Sequence, residues 1–297
     1  MRILNALGFL LLTLPLSGLA QNIALSFDDG FDPRSQENAA QWNAALLDGL
    51  AQSNVKAIFY ASGSKVDSPE GLSLVSDWGD SGHDVSNHTY SHFSLGANLL
   101  EDFSADVEKN EALLINKPGW VKRLRFPYLK EGRTAEKRDG FRQWMTDHGY
   151  ESGAVSIDAS DWYYSSRYEA WVQNHRTEEP VAFRLAYLDH LWDRASYYDG
   201  LSQSIFNRSI NHVILLHTNA INAAFIVDIV AMFRAKGWNV IDPDKAYSDP
   251  VYTNVPDVLP AGESILWSFA KQNETPDLRY PAEDAIYEKP ILDALGL

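Results

Sequence analysis

Two adjacent carboxylates, Asp28 and Asp29, end a short apolar run, Ile23 to Phe27, and are followed by Gly30. The run reads as a strand, and the glycine permits a sharp exit from it. Strand ends of this kind are where α/β proteins keep their chemistry. Two like charges side by side are costly unless a cation or a proton relieves them. A metal ion bound by one carboxylate would leave the other free as a base. A solvated turn uses the same residues, because Asp and Gly dominate turns. Partners elsewhere in the chain must decide between the two.

Such partners recur at the ends of other predicted strands. His88 and His92 follow the run Asp84 to Ser86, and Arg125 stands just before Pro127-Tyr128. Asp158 and Asp161-Trp162 follow Glu151 to Ile157, and His217 closes an apolar Val-Ile-Leu-Leu run. If the strands are parallel, these side chains gather on one face. His88 and His92 are four apart, so on a helical turn both would face one direction and share a metal. Joined by one of the two aspartates they make a set of two imidazoles and a carboxylate. That set suits Zn²⁺, with other divalent transition ions also fitting. Three protein ligands leave room for a water, the catalytic form of such a site. Each residue also has a plainer use: His217 as a core histidine, Arg125 in a surface ion pair, Asp158 as a helix cap.

The elements that must position these groups alternate along the chain. Helices are predicted at Gln36–Ala51, Glu70–Gly79, Leu99–Ile115, Ala135–His148 and Ala220–Lys236 from apolar residues at helical spacing. Strands are predicted at Val55–Tyr60, Asp84–Ser86, Arg123–Phe126, Glu151–Ile157, Val213–Leu216 and Trp238–Ile241. Strand and helix alternate six or seven times with short connections. That demands a parallel sheet with right-handed crossovers, either closed as a barrel or open. A longer insertion, Tyr163 to Ser209, carries one predicted helix at about Pro180–Phe206 and many aromatic residues. These rings would serve as a lid or wall beside the site, or simply pack an extra helix onto the sheet.

Composition narrows the partners. The 297 residues carry 25 Lys and Arg against 40 Asp and Glu, a formal net charge of −15. This balance argues against nucleic acid or an anionic membrane surface. Met1 to Ala20 has one basic residue, Arg2, an apolar run from Ala6 to Leu16, and small residues at Gly18 and Ala20. It reads as a secretory signal, so the protein is expected to be secreted or periplasmic, with no membrane attachment once the signal is removed. There is no cysteine, so an exported chain would rely on its core without disulfides. The lack of cysteine also removes the usual structural zinc ligands. Residues 1–20 are thus expected as the signal, 21–245 as the α/β domain, and 246–297, punctuated by prolines, as an extension wrapped over it.

Taken together, the polar residues resemble the motifs of the polysaccharide deacetylases, carbohydrate esterases that remove acetyl groups from glycans. Ser26-Phe27-Asp28-Asp29-Gly30 is similar to the first motif and Asn87-His88-Thr89-Tyr90-Ser91-His92 to the second. Arg125-Phe126-Pro127-Tyr128 resembles the third, Asp158-Ala159-Ser160-Asp161-Trp162 the fourth, and Ile214-Leu215-Leu216-His217 the fifth. The resemblance covers about Ile23 to Ile241. It implies an α/β fold, a distorted (β/α) barrel of seven strands, here with a helical insertion and a C-terminal extension. By the same resemblance Asp29, His88 and His92 bind the metal and Asp28 is the general base. The Tyr128 backbone N–H would help hold the oxyanion, and His217 would protonate the leaving group. Arg125 would orient Asp28 and keep it ionised, and Asp158 would keep His217 cationic. Trp162 and Leu215 would line the acetyl pocket. Phe126 replaces the family's usual proline, and Leu129-Lys130 its usual glycine, which changes the groove wall.

The expected function is metal-dependent removal of N-acetyl groups from an amino-sugar polymer or oligomer such as chitin-like chains, peptidoglycan or poly-N-acetylglucosamine. O-acetyl esterase action on a xylan-type polysaccharide is the alternative within the same chemistry. A carbohydrate-binding protein on a retired barrel would have lost the base, a ligand or the acid, and none is lost. A phosphoesterase would call for two metals and more ligands than this spacing supplies.

Overall fold

The strand expected at Ile23 to Phe27 is the longer β1 (Asn22–Asp29), buried from Ile23 through Asp28. The computed structural model describes residues 20–279, 281 and 284–297. Residues 1–19, which hold most of the expected export signal, lie outside the described residues. After β1 come α1 (Ala39–Gln52), β2 (Ile58–Ala61), the single turn α2 (Gly63–Val66), α3 (Pro69–Asp80), β3 (Asp84–Asn87), α4 (Leu100–Leu114) and β4 (Trp120–Leu124). Then follow β5 (Lys130–Gly132), α5 (Ala135–Asp147), β6 (Glu151–Ser152), α6 (Asp161–Asn174), α7 (Val181–Phe206), β7 (Asn211–His217), α8 (Ala220–Ala235) and β8 (Asn239–Val240). The last part holds α9 (Pro243–Tyr247), β9 (Ala261–Gly262), α10 (Ile265–Gln272) and α11 (Lys289–Leu295).

Seven strands form one sheet in the order β6-β4-β3-β2-β1-β7, with β8 added beside β1. All of its pairings are parallel, as strands joined by helical crossovers require. The sheet curls until its ends meet: Ile157, beyond β6, makes a parallel bridge to Ile214 of β7. The Ser156 and Ile157 N–H groups donate to the Val213 carbonyl at 3.0 and 3.1 Å, and the Leu215 N–H donates to the Ile157 carbonyl at 2.9 Å. The result is the distorted barrel that the motif order implied. Because both faces of a parallel strand are covered, β1 and β2 are buried along nearly their whole length.

Three elements depart from expectation. The strand expected over Glu151–Ile157 pairs with β4 only at its first two residues and then crosses to β7. Gly153 makes this crossing possible: a Cβ there would lie 2.7 Å from the Leu124 carbonyl oxygen and 2.8 Å from the Tyr60 ring. The strand expected over Arg123–Phe126 is β4, which starts and ends earlier and leaves Arg125 just past its end. The insertion contains a second helix, α6, beginning at Asp161. It shows no clear apolar stripe because rings occupy successive positions. Tyr164 is buried, while Tyr168 packs edge-on against Phe183 and Phe225 at 5.7 and 5.5 Å. In α7, Tyr187 and Tyr198 are also fully buried, so these aromatics pack the helices onto the barrel.

The core is completed around Trp78 of α3. Its ring lies 5.4 Å from Phe27 and 4.9 Å from Phe59, and its indole N–H donates to Asn43 Oδ1 of α1 at 2.9 Å. Ser68 caps α3 by accepting the Gly71 N–H at 2.9 Å, with Pro69 at the first helical position. Residues after β8 reach back to the barrel seam. The Ile265 N–H donates to the Val155 carbonyl at 2.8 Å, and Ser264 Oγ to the Ser156 carbonyl at 2.7 Å. Phe269 of α10 meets Phe206 of α7 edge-on at 5.4 Å.

Two buried histidines outside the barrel mouth make folding stability depend on pH. His83 accepts the Ala57 N–H at Nδ1 (3.2 Å), and burial, with the charge of Lys56 adding to it, pushes its pKa down to about 4. His190 accepts the Ser160 N–H at Nε2 (3.1 Å), and burial beside Arg194 and Arg279 pushes it down to about 3. Each binds a proton in the unfolded chain before it does so in the folded one. Stability is therefore intact above the ordinary histidine pKa and falls as pH drops below it. For His83 the loss between pH ~6.5 and ~4 amounts to roughly 3 kcal/mol. Chemical denaturation at pH 7.5 and 4.5 checks this. His83→Asn keeps an acceptor for Ala57 and should lose less stability between the two pH values than the parent, whereas equal losses would contradict the assignment.

Candidate active site

Asp28 is the last buried residue of β1, directly opposite His217 of β7 in the parallel register. One Asp28 oxygen is fixed from across the barrel. Arg125 Nη1 donates to Asp28 Oδ1 at 2.9 Å, while Nη2 reaches Ser26 Oγ at 3.0 Å and Tyr247 OH at 3.4 Å. The Arg125 Nε donates to the Gly153 carbonyl, and the guanidinium lies 4.3 Å from the Tyr60 ring centre. Burial pushes the Asp28 pKa up to about 6, with the Arg125 charge opposing it. A carboxylate poised near neutrality is suited to accept a proton.

Asp29 turns the other way. Its φ of 85° aims the side chain out of the strand line, and its Oδ2 accepts from Lys65 Nζ at 2.7 Å. Burial alone would raise its pKa, but the positive charges of His217 and Lys65 outweigh burial and hold it far below the usual carboxylate range. Asp29 Oδ1 is buried and has no hydrogen-bond donor. It lies 3.4 Å from His92 Nε2 and 3.9 Å from His88 Nε2.

The two imidazoles reach this point from a loop, not from the helical turn that their spacing suggested. Thr89 and His92 both take left-handed φ, 63° and 54°. His88 Nδ1 donates to the Arg125 carbonyl at 2.8 Å, which leaves Nε2 with a lone pair facing Asp29. Burial pushes both rings down to a pKa of about 4, so both are neutral at pH 7. Ligand atoms of Asp29, His88 and His92 lie within 4.8 Å of one another. A buried carboxylate oxygen without a donor is costly. Placed beside two neutral nitrogens, it has the donor set of a divalent transition metal. The His88 bond to a backbone carbonyl is also what orients a metal-ligating histidine. These residues fit a metal.

His217 is held by Asp161, not by Asp158. His217 Nδ1 donates to Asp161 Oδ1 at 2.7 Å, and its backbone N–H donates to Oδ2 at 2.7 Å. Asn219 and Asn222 add side-chain N–H bonds to Oδ2 at 2.9 and 2.7 Å. The physical reason is position. Asp161 opens α6, which packs on α8 just after His217, whereas Asp158 lies before the turn and lines the cleft. The Asp158 carbonyl accepts from Arg194 Nε at 3.0 Å. Burial would lower the His217 pKa, but Asp161 outweighs it and raises the value to about 9. The ring thus holds a proton at neutral pH.

A cleft of about 610 Å³ joins these groups, and Tyr128, Trp162 and Leu215 all line it. Trp162 and Tyr128 are exposed, and Leu215 is buried. The Tyr128 ring meets His92 edge-on at 4.7 Å. Tyr128 and Leu129 both have left-handed φ, 58° and 54°. With Asp29, His92 and Glu263, that puts five non-glycine residues with positive φ in the lining of one cleft, where stored backbone strain commonly marks a working site. Every residue singled out from the sequence borders this cleft or, like Arg125, supports it. Lys65, Asn219, Asn222 and Glu263 were not singled out, and no motif flagged them. Asp161 stood inside a quoted motif without being assigned its role.

The comparisons with known proteins follow the geometry. Residues 18–152 match the family model for polysaccharide deacetylase. A peptidoglycan-N-acetylglucosamine deacetylase of Bacillus cereus is 30% identical over 141 residues, covering 47% of this chain and 46% of that protein. A chitooligosaccharide deacetylase of Sinorhizobium fredii is 34% identical over 120 residues, 39% of this chain and 51% of that one. The chain spans about half the length of these curated relatives. In structure it is similar to a family 4 carbohydrate esterase from Streptomyces lividans in complex with acetate, with a TM-score of 0.51 and 21% identity over 76% of this chain and 95% of that one. This likeness shows the shared fold. The match at residues 18–152 spans the segments that carry Asp28, Asp29, His88, His92 and Arg125, and β7 brings His217 to the same cleft.

Proposed function

We propose that this protein is a metal-dependent deacetylase that removes N-acetyl groups from an amino-sugar glycan. The observation that carries the reading is the buried, donorless Asp29 Oδ1 facing two neutral imidazoles, with a carboxylate near neutrality and a protonated imidazole in the same cleft. The names of the relatives, which act on peptidoglycan N-acetylglucosamine and on chitooligosaccharides, support the substrate class.

Asp29, His88 and His92 would hold the ion, and zinc suits their two nitrogens and one oxygen. A divalent cation there would supply Lewis-acid polarisation of the acetyl carbonyl and acidify a water. The remaining work falls to the chain's own groups. Asp28 cannot turn fully toward the ion, because Arg125 holds its Oδ1. Its Oδ2, 3.6 Å from His88 Nε2, is placed to take the proton of the attacking water. Tyr128 lines the same cleft, where its backbone N–H would help hold the oxyanion. His217, gripped at Nδ1 by Asp161, presents its Nε2 proton to the leaving nitrogen, and loss of that proton lets the amine depart. The neutral Leu215 and Trp162 would enclose the acetyl methyl group. The apolar N-terminal run supports an exported protein that meets its glycan outside the cytoplasm. Among the described residues no helix is long and apolar enough to cross a membrane.

Zinc-loaded protein should release acetate from N-acetylglucosamine oligomers or peptidoglycan fragments, and chelation should abolish the release. Release only from acetylated xylan would turn the reading into an O-acetyl esterase, and no release from any of these would contradict it. Asp161→Asn should lower kcat by at least about 100-fold, since it weakens the proton held by His217. Asp158→Asn should cost much less than that. The reverse ranking, measured by acetate release, would restore Asp158 as the acid's partner.

A further inference from the structure

One wall of the cleft comes from the C-terminal segment. Strand β9 pairs antiparallel with β5, bringing Gly262 opposite Lys130. Gly262 has φ +116°, and a Cβ there would lie 1.9 Å from the Leu129 carbonyl oxygen, so only glycine permits so close an approach. The next residue, Glu263, donates its N–H to that same carbonyl at 2.8 Å. Its side chain then forms an ion pair with Lys130, and both residues line the cleft beside Tyr128. Lys130 belongs to the Leu129-Lys130 pair that stands in place of the glycine the motif resemblance leads one to expect after Tyr128.

The pairing has a consequence for charge. Among the described residues that line the cleft, the cationic side chains are Lys65, Lys130 and His217. Each already faces a carboxylate: Lys65 meets Asp29, His217 meets Asp161, and Lys130 meets Glu263. Asp158 and Glu169 also line the cleft, and the whole chain carries a formal −15. A closed ion pair still offers ammonium N–H donors and carboxylate lone pairs, which suit hydroxyl and amide groups. A sugar bearing a carboxylate would have to displace Glu263 from Lys130. That would leave a half-buried carboxylate unpaired, the costly outcome when one partner of an ion pair is removed.

We propose that the Lys130–Glu263 pair is a specificity device: it selects glycans whose sugars beside the reacting N-acetyl group are uncharged, and rejects those carrying carboxylates. The proposal rests on the deacetylase reading and names the substrate class within it. Specificity here comes from a repulsive element built against the wrong substrate.

The test compares acetate release from N-acetylglucosamine oligomers with release from glycan strands of the same linkage whose alternate sugars carry a lactyl carboxylate, stem peptides removed. The parent should favour the neutral oligomer in kcat/KM by roughly tenfold or more. Glu263→Gln frees Lys130 and should shrink that preference by about tenfold, through KM and not kcat. Lys130→Met leaves Glu263 alone and should widen it. A purely structural role would move both substrates together in both variants. A parent that favours the carboxylate-bearing strand, or a preference unmoved by either variant, overturns the proposal while leaving the deacetylase reading intact. No acetate from either glycan overturns both.

Discussion

A single guanidinium crosses the mouth of the barrel. Arg125, fully buried, leaves the end of β4 and bonds Asp28 and Ser26 of β1, the Gly153 carbonyl at the seam, and Tyr247 of α9. Removing one partner of such a buried pair strands the other charge at high cost, so the strand ends it joins are held in a fixed relation. The same contact divides the work of two neighbouring aspartates. With Oδ1 of Asp28 occupied, it is Asp29, swung out by its positive φ, that meets the histidines. Adjacent carboxylates would otherwise share one environment and one pKa. Here one is pushed up to about 6 by burial and the other is held far below the usual range. Opposite shifts of this kind mark groups with different chemical roles.

The segment after β8 is bound into the same machinery. It supplies Tyr247 to Arg125, donates to the Val155 and Ser156 carbonyls at the seam, and places Glu263 in the cleft. The region matching the family model ends at residue 152. Asp28, Asp29, His88, His92 and Arg125 lie inside that region. His217, its partner Asp161 and the Lys130–Glu263 pair's carboxylate lie beyond it.

Much of this was legible because the chemistry sits at strand ends. Periodicity locates a strand such as Ile23–Phe27, and the polar residue that breaks the run then lies at the strand's C-terminal end, at the mouth of the sheet. Asp28, Asp29, His88, His92, Arg125 and His217 are all found that way. What failed has physical causes. His88 and His92 converge through two left-handed residues, and residue spacing cannot reveal backbone sign. Helix α6 carries rings on neighbouring positions, so its buried face leaves no stripe. The choice between Asp158 and Asp161 depends on where a helix begins, and boundaries are the least certain feature of sequence patterns. Lys65 and Glu263 act through contacts between distant segments, 36 and 133 residues from their ion-pair partners, and local sequence holds no trace of them.

The central claim is that Asp29 binds the ion while Asp28 stays free of it as the base. The most direct measurement is the zinc content of Asp28→Asn and Asp29→Asn after zinc loading and exhaustive dialysis, with acetate release assayed on the same samples. The account predicts that Asp28→Asn keeps stoichiometric zinc and loses turnover, whereas Asp29→Asn loses the metal itself. Loss of zinc from Asp28→Asn, or its full retention by Asp29→Asn, would contradict the division between the two carboxylates.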